Sequence, residues 1–271
     1  MLFADRALAQ RIEELEANGI LECTHAVERL DASGKVPEMR FAGGRAAFLG
    51  TDTHFSRTMG AGLHGLVTAE ELDQLEIFFR DRGAPVVLDL CPFADRSLWA
   101  LLSQRGYHPT GFKNILARPV RPNEKFPKPP EDISIAEVTG DNIERHAQLL
   151  ARGFLDSGKP PPARMVREFE VILSSDTLCF TATRGGSIAG LACMGTHRGV
   201  AAIICACTLP HQRRHGIHTA LLQARLRRAA ELGCDLAKIT MTNLGGTSQR
   251  NAERLGFQIV YTRVEMTRRW G

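Results

Sequence analysis

The strongest chemical signal in this sequence is Thr208-Leu-Pro-His-Gln-Arg-Arg-His-Gly-Ile-His-Thr-Ala-Leu-Leu222. An apolar run (AAIICACTL) ends at a proline, and a basic loop then opens into a long helical pattern. The first turn of a helix carries unpaired N–H groups and a partial positive charge, so such a loop can hold an anion. Gly216 permits close approach of a ligand to the backbone, while Arg213, Arg214 and His215 add positive charge. By themselves these residues fit a phosphate cradle and a tight turn beside a solvated basic patch equally well.

The elements around the loop read clearly. Residues 133–138 alternate as a strand, and Asp141 is placed to cap a helix reaching about Phe154. A loop at 158–162 precedes a short helix at 163–173. Strands follow at 177–183, 188–194 and 201–208, with Gly185-Gly186 and Arg198-Gly199 as turns. A helix from His215 or Gly216 to Leu232 presents Ile217, Leu221, Leu222, Leu226 and Ala230 at helical spacing. A strand at 236–241, a helix at 247–255 and a closing strand at 257–267 complete the half. Tight turns make consecutive strands antiparallel and helical crossovers require parallel neighbours, so a mixed sheet covered by helices is expected.

Five prolines between Ala117 and Pro130 read as a semi-rigid linker. The division is domain 1–118, linker 119–131 and domain 132–271. A slide of 150 positions puts Gly83 on Gly233 and Gly106-Tyr107 on Gly256-Phe257, with helix and strand patterns in step. A duplicated fold explains that spacing.

The loop resembles the acyl-CoA-binding motif of the GNAT superfamily of N-acetyltransferases, Arg/Gln-x-x-Gly-x-Gly/Ala, standing here as Arg213-Arg214-His215-Gly216-Ile217-His218 after Thr208-Leu209-Pro210. The stretch from Ser248 to Gly256-Phe257 resembles the family's last helix and its Gly-Phe. The resemblance implies an α/β (α+β) fold of two tandem GNAT-like domains, each a mixed, mostly antiparallel sheet covered by helices. It also implies an acetyltransferase in which an amine attacks the thioester of acetyl-CoA directly, the co-substrate lying beside a bulged, splayed strand. Backbone groups near Cys207, Thr208 and Leu209 would then bind pantetheine amides, and amides from Arg214 to Thr219 the pyrophosphate. A backbone N–H would stabilise the developing oxyanion.

Two positions depart from the family pattern. His218 replaces a small residue, and either donates to a phosphate oxygen or lies on the helix surface. Ala252 stands where many members carry an acidic tyrosine, and the strand at 201–208 carries no carboxylate, so catalytic residues are unassigned. Ser248 and Asn251 share a helix face and are candidate cofactor contacts, although Ser248 or Thr247 can equally cap the helix. Tyr261, the only tyrosine of this half, reads as a packing residue. Around residues 157–163, Lys159 would suit an anionic acceptor.

The first half looks like a degenerate copy. Its Met59-Gly-Ala-Gly-Leu-His-Gly65 lacks the basic pattern, and Glu70 and Glu71 follow a cap at Thr68. Acidic side chains at a helix start repel a pyrophosphate. Its expected role is to wall an acceptor cleft.

Composition sets the class. A chain of 271 residues, 44% hydrophobic and 24% charged, with a net charge of +4, is globular and only weakly basic, which argues against nucleic acid as partner. No apolar run approaches ~18 residues, which argues against a membrane span. The N-terminal stretch is amphipathic without signal-peptide features. Seven scattered cysteines without a CxxC pair read as reduced and buried, with no metal site, so a cytoplasmic protein is expected. The partner is a small-molecule or peptide amine, and the chain is a monomer (a pseudo-dimer of its halves) or a homodimer. A non-catalytic acyl-CoA-binding sensor is the other class of reading.

Overall fold

The computed structural model describes residues 2–31, 34–51, 53–138, 142–155 and 159–270. The chain forms two compact units: Met1–Ala117, Thr240–Arg250 and Phe257–Gly271 make one, Arg118–Ile239 and Asn251–Gly256 the other.

The first unit begins with helix α1 (Arg6–Leu30), capped by Asp5, and short strands β1 (Glu38–Phe41), β2 (Gly44–Ala47) and β3 (Arg57–Met59). Helix α2 (Ala69–Arg80), strand β4 (Val86–Leu90), helix α3 (Arg96–Gln104) and strand β5 (His108–Pro119) follow. Leu72, Leu75 and Phe79 of α2 and Leu98 and Leu102 of α3 pack on Leu88 of β4 as the core of this unit.

Strand β11 (Gln258–Arg268) lies in this unit, antiparallel between β4 and β5, with Val264 opposite both Leu90 and Phe112. This differs from the expected division, which placed the closing strand with residues 132–256. A period-two pattern states which face a strand buries but not which ladder it joins. Side chains single out this ladder. Arg263 donates to Glu13 Oε1 of α1 through Nε and Nη2, at 3.1 and 2.8 Å, with both residues fully buried. Lys113 of β5 reaches Asp89 of β4 at 2.7 Å and Glu265 of β11 at 3.1 Å. A strand lacking Arg263 would leave the buried Glu13 carboxylate unpaired, which is strongly unfavourable.

The second unit holds strand β6 (Ile133–Val138), helices α4 (Ile143–Phe154) and α5 (Ala163–Ser174), strands β7 (Leu178–Arg184), β8 (Ser187–His197) and β9 (Val200–Thr208), helix α6 (Ile217–Glu231) and strand β10 (Leu236–Met241). Helix α7 (Thr247–Arg254) straddles the division between the units. Antiparallel pairs join β6 to β7, β7 to β8 and β8 to β9, while β10 is parallel to β9, the mixed sheet expected. Asp141, the expected cap of α4, lies outside the described residues, as do Ser157 and Gly158 of the loop before α5.

The expected linker starts later than its prolines suggest. Strand β5 runs through Pro119, and Val120 N–H donates to Asp235 O at 2.8 Å. No helix or strand occupies 121–132. Within that stretch Glu124 pairs with Arg118, whose guanidinium also donates to Leu255 O.

Candidate acyl-CoA site

A buried strand end, a loop and an uncapped helix build the site. After β9, Pro210–Gln212 form a single 3-10 turn, with Gln212 N–H donating to Leu209 O at 2.8 Å. Arg214 and Gly216 then both take left-handed backbone conformations, with φ of +66° and +81°. Left-handed residues interleaved in this way turn successive N–H groups toward one side, the geometry of an anion-binding nest. Gly216 is the N-cap of α6, so no side chain caps the helix, and its first turn holds no acidic residue. The N–H groups of Ile217, His218 and Thr219 have no acceptor within the helix. Pro210, His211, Arg213, Arg214 and His215 line an open concavity of about 590 Å³ here.

The strand supplies the second part. Between Leu191↔Cys207 and Cys193↔Ile204, β9 carries one residue more than β8, a bulge at which Cys205 has φ +49°. On its other side β9 pairs with β10 only through Val200, Ala201 and Ala202. Beyond Ala202 that edge of β9 is open among the described residues. Leu209 N–H donates to Ala189 O at 2.9 Å. Hydrogen-bonded and non-bonded pairs alternate along an antiparallel ladder. The backbone groups of Cys207 and Leu209 therefore address β8, and those of Thr208, between them, face the open edge. Of the three positions expected to offer backbone groups, Thr208 is the one that faces this edge, with its carbonyl accepting from Arg213 Nε at 3.4 Å. Its hydroxyl is also buried without a hydrogen-bond partner. An orphaned hydroxyl beside an open strand edge and an uncapped, basic helix start fit a ligand that joins polar amides to a pyrophosphate.

Side-chain placement separates the remaining candidates. Cys207 is buried against α4, its Sγ 3.9 Å from Leu149 O, and burial pushes its thiol up to about 11. Cys205 joins the same core, and none of the seven cysteines forms a disulfide. Arg213 braces the loop, donating to Thr208 O and to Gly153 O near the end of α4, each at 3.4 Å. His218 is half-buried; desolvation, then the charge of Arg225, lowers its imidazole to about 4, so it is neutral at physiological pH. Its Nδ1 lies 3.5 Å from Asn251 Nδ2, which brings these two candidates together. Ser248 is exposed and falls with the first unit. Ala252 is fully buried and Tyr261, in β11, donates to Glu13 Oε1 at 2.8 Å. Among the described residues no group of three or more His, Cys, Asp or Glu could hold a metal ion.

Sequence reasoning missed two glycines. A Cβ on Gly153 of α4 would fall 2.5 Å from Cys207 Sγ, and one on Gly190 of β8 would fall 2.7 Å from Cys207 O and 2.9 Å from Ile217 Cγ2. They let both helices approach the strand end closely. Nothing in the local pattern marks such contacts, because both partners are distant in sequence.

The family model of the acetyltransferase (GNAT) family matches residues 143–257. These residues are a GNAT domain. The matched span includes the bulged strand, the loop and the uncapped helix. Solved structures show how far the likeness extends. A GCN5-related N-acetyltransferase from Kribbella flavida is 17% identical with a TM-score of 0.69, over 97% of this chain and 96% of that one. A tandem GNAT protein from the clavulanic acid biosynthesis pathway is 16% identical with a TM-score of 0.63, over 98% and 96%. A GCN5-related N-acetyltransferase from Sphaerobacter thermophilus is 20% identical with a TM-score of 0.56, over 74% and 68%. The whole chain thus has a tandem GNAT fold. A search of curated proteins found no match. No helix among the described residues is long and apolar enough to cross a membrane.

Proposed function

We propose that the protein is an acetyltransferase that uses acetyl-CoA and delivers the acetyl group to an amine of a small molecule or peptide. The observation that carries this reading is the uncapped start of α6, where Arg214 and Gly216 both have positive φ beside an open edge of β9. The co-substrate would bring an activated acyl thioester. The chain's residues would hold and orient it. Backbone N–H groups from Arg214 to Thr219 would take the pyrophosphate, with Arg213 and Arg214 adding charge, and Thr208 would meet the pantetheine amides. Neutral His218, its Nδ1 3.5 Å from Asn251 Nδ2, would lie beside the phosphates at the start of α6. Holding thioester and amine together lowers the entropic part of the barrier. Ala252 has no proton to give, so the departing thiolate takes its proton from a group outside that position of α7. Lys159, exposed before α5, suits an anionic acceptor.

Calorimetric titration of acetyl-CoA and desulfo-CoA into wild type and Gly216→Glu tests the reading. One site per chain is expected, lost in the variant with the circular dichroism spectrum unchanged. No binding by the wild type refutes the acyl-CoA assignment. Binding without release of free thiol in the presence of any amine refutes the enzyme and leaves a sensor.

A further inference from the structure

Arg225 is a buried charge on α6 for which the loop chemistry has no use. It follows Ile217 and Leu221 at successive intervals of four, on the stripe that faces the sheet, and is only 1% exposed. Among the described residues no carboxylate pairs with it. Its Nε donates to Leu221 O, and its Nη1 donates to both Cys193 O and Ile204 O, each at 3.1 Å. Burying a guanidinium without a counter-ion is expensive, and a well-packed apolar side chain is often more stable in such a place. Desolvation pulls its pKa down to about 10, which still leaves it charged at physiological pH.

The carbonyls it holds belong to Cys193 and Ile204, the opposed pair that borders the bulge at Cys205. The bulge decides which residues of the strand end address β8. Without the extra residue, alternation would shift by one: Thr208 would turn to β8, and Cys207 and Leu209 to the open edge. We infer that Arg225 is a positioning residue of the acyl-CoA site, clamping β8 to β9 at the bulge so that Thr208 faces the open edge. Its donation to Ile204 O also polarises the Ile204–Cys205 peptide, making Cys205 N–H a stronger donor. This inference rests on the acyl-CoA reading above.

The test compares a whole ligand with the part that never reaches the strand. Acetyl-CoA and ADP are titrated calorimetrically into wild type, Arg225→Met and Arg225→Lys. ADP meets only the loop and helix start. Arg225→Met should weaken acetyl-CoA by about tenfold or more, as loss of supporting contacts behind a binding shell does, and leave ADP unchanged. Arg225→Lys should recover part of the loss. Equal acetyl-CoA affinity in wild type and Arg225→Met overturns the inference. A parallel loss of both ligands, with lysine no better than methionine, also overturns it, because that pattern marks general damage. If Arg225→Met fails to fold, Arg225→Gln takes its place in the same comparison. Failure of wild type to bind acetyl-CoA sinks the underlying reading instead, and the inference with it.

Discussion

At their C-termini, α2 of the first unit and α6 of the second are built alike. Gly83 (φ +65°) donates to Arg80 O and Ala84 to Phe79 O, at 2.9 and 3.0 Å; 150 positions later Gly233 (φ +75°) donates to Ala230 O and Cys234 to Ala229 O, at 3.0 and 2.9 Å. Their N-termini differ. Helix α2 carries a complete capping box: the Thr68 side chain accepts from Glu71 N–H and the Glu71 side chain accepts from Thr68 N–H, with Glu70 and Glu71 in the first turn. Helix α6 has a glycine N-cap, no side-chain cap and no acid. A helix whose side chains satisfy its own first turn and neutralise its positive end has little left for a phosphate. The two units share the end that turns the chain toward the next strand and differ at the end that meets a ligand.

The largest effect should come from matched glutamates in the two loops. Gly216→Glu should abolish acetyl-CoA binding, whereas Gly65→Glu, at an exposed position with no heavy atom near its Cβ, should leave affinity and stoichiometry unchanged. Two sites per wild-type chain, or loss of affinity in Gly65→Glu, would break the contrast. Arg213→Ala comes next: removing its charge and its bonds to Thr208 O and Gly153 O should raise the acetyl-CoA dissociation constant by about tenfold.

Stability should divide the same way. Thr68→Ala should cost about 1 kcal/mol in urea denaturation by exposing the first turn of α2, without creating an acetyl-CoA site. A second site appearing on calorimetry would show that the capping box alone silenced the first unit. At the shared ends, Gly83→Ala and Gly233→Ala should each cost about 1 kcal/mol, since both have positive φ and open space around the Cβ. A cost at one position only would mean that the two caps are not equivalent.

The smallest signal is a pH dependence confined to the α6 end. Desolvation, then the charge of Arg225, holds the folded-state pKa of His218 below the ordinary imidazole value of 6.5, at about 4. The unfolded chain therefore binds the proton first, and stability falls as pH drops from about 6.5 to about 4, then levels off. His218→Gln should flatten part of that slope in a denaturation series. The burial-lowered His146 should keep its own share, since desolvation and then Arg145 depress it independently. An unchanged slope would place His218 in solvent.

Much of the site was legible because its signals are local. Pro210 ends a strand, Gly216 permits the positive φ, and the apolar spacing of Ile217, Leu221 and Leu222 names the buried face of α6. Arg225 was not singled out in the sequence, since its partners Cys193 and Ile204 lie 32 and 21 residues away. The resemblance implied a bulge in this strand but not its place at Cys205, because one extra residue in a strand looks like any other apolar position.

By itself the sequence determined the order and type of the elements from residue 133 onward, the matched glycines at 83 and 233, and the basic helix start at Gly216. These depend on periodicity, backbone freedom and charge within a few residues. Only the tertiary structure decided that β11 joins β4 and β5, that Thr208 and not Cys207 or Leu209 faces the open edge of β9, and that Arg225 holds the bulge. Each of those outcomes turns on which distant backbone or charge is brought near, as Glu13 is to Arg263, and alternation along a strand carries no information about its partner.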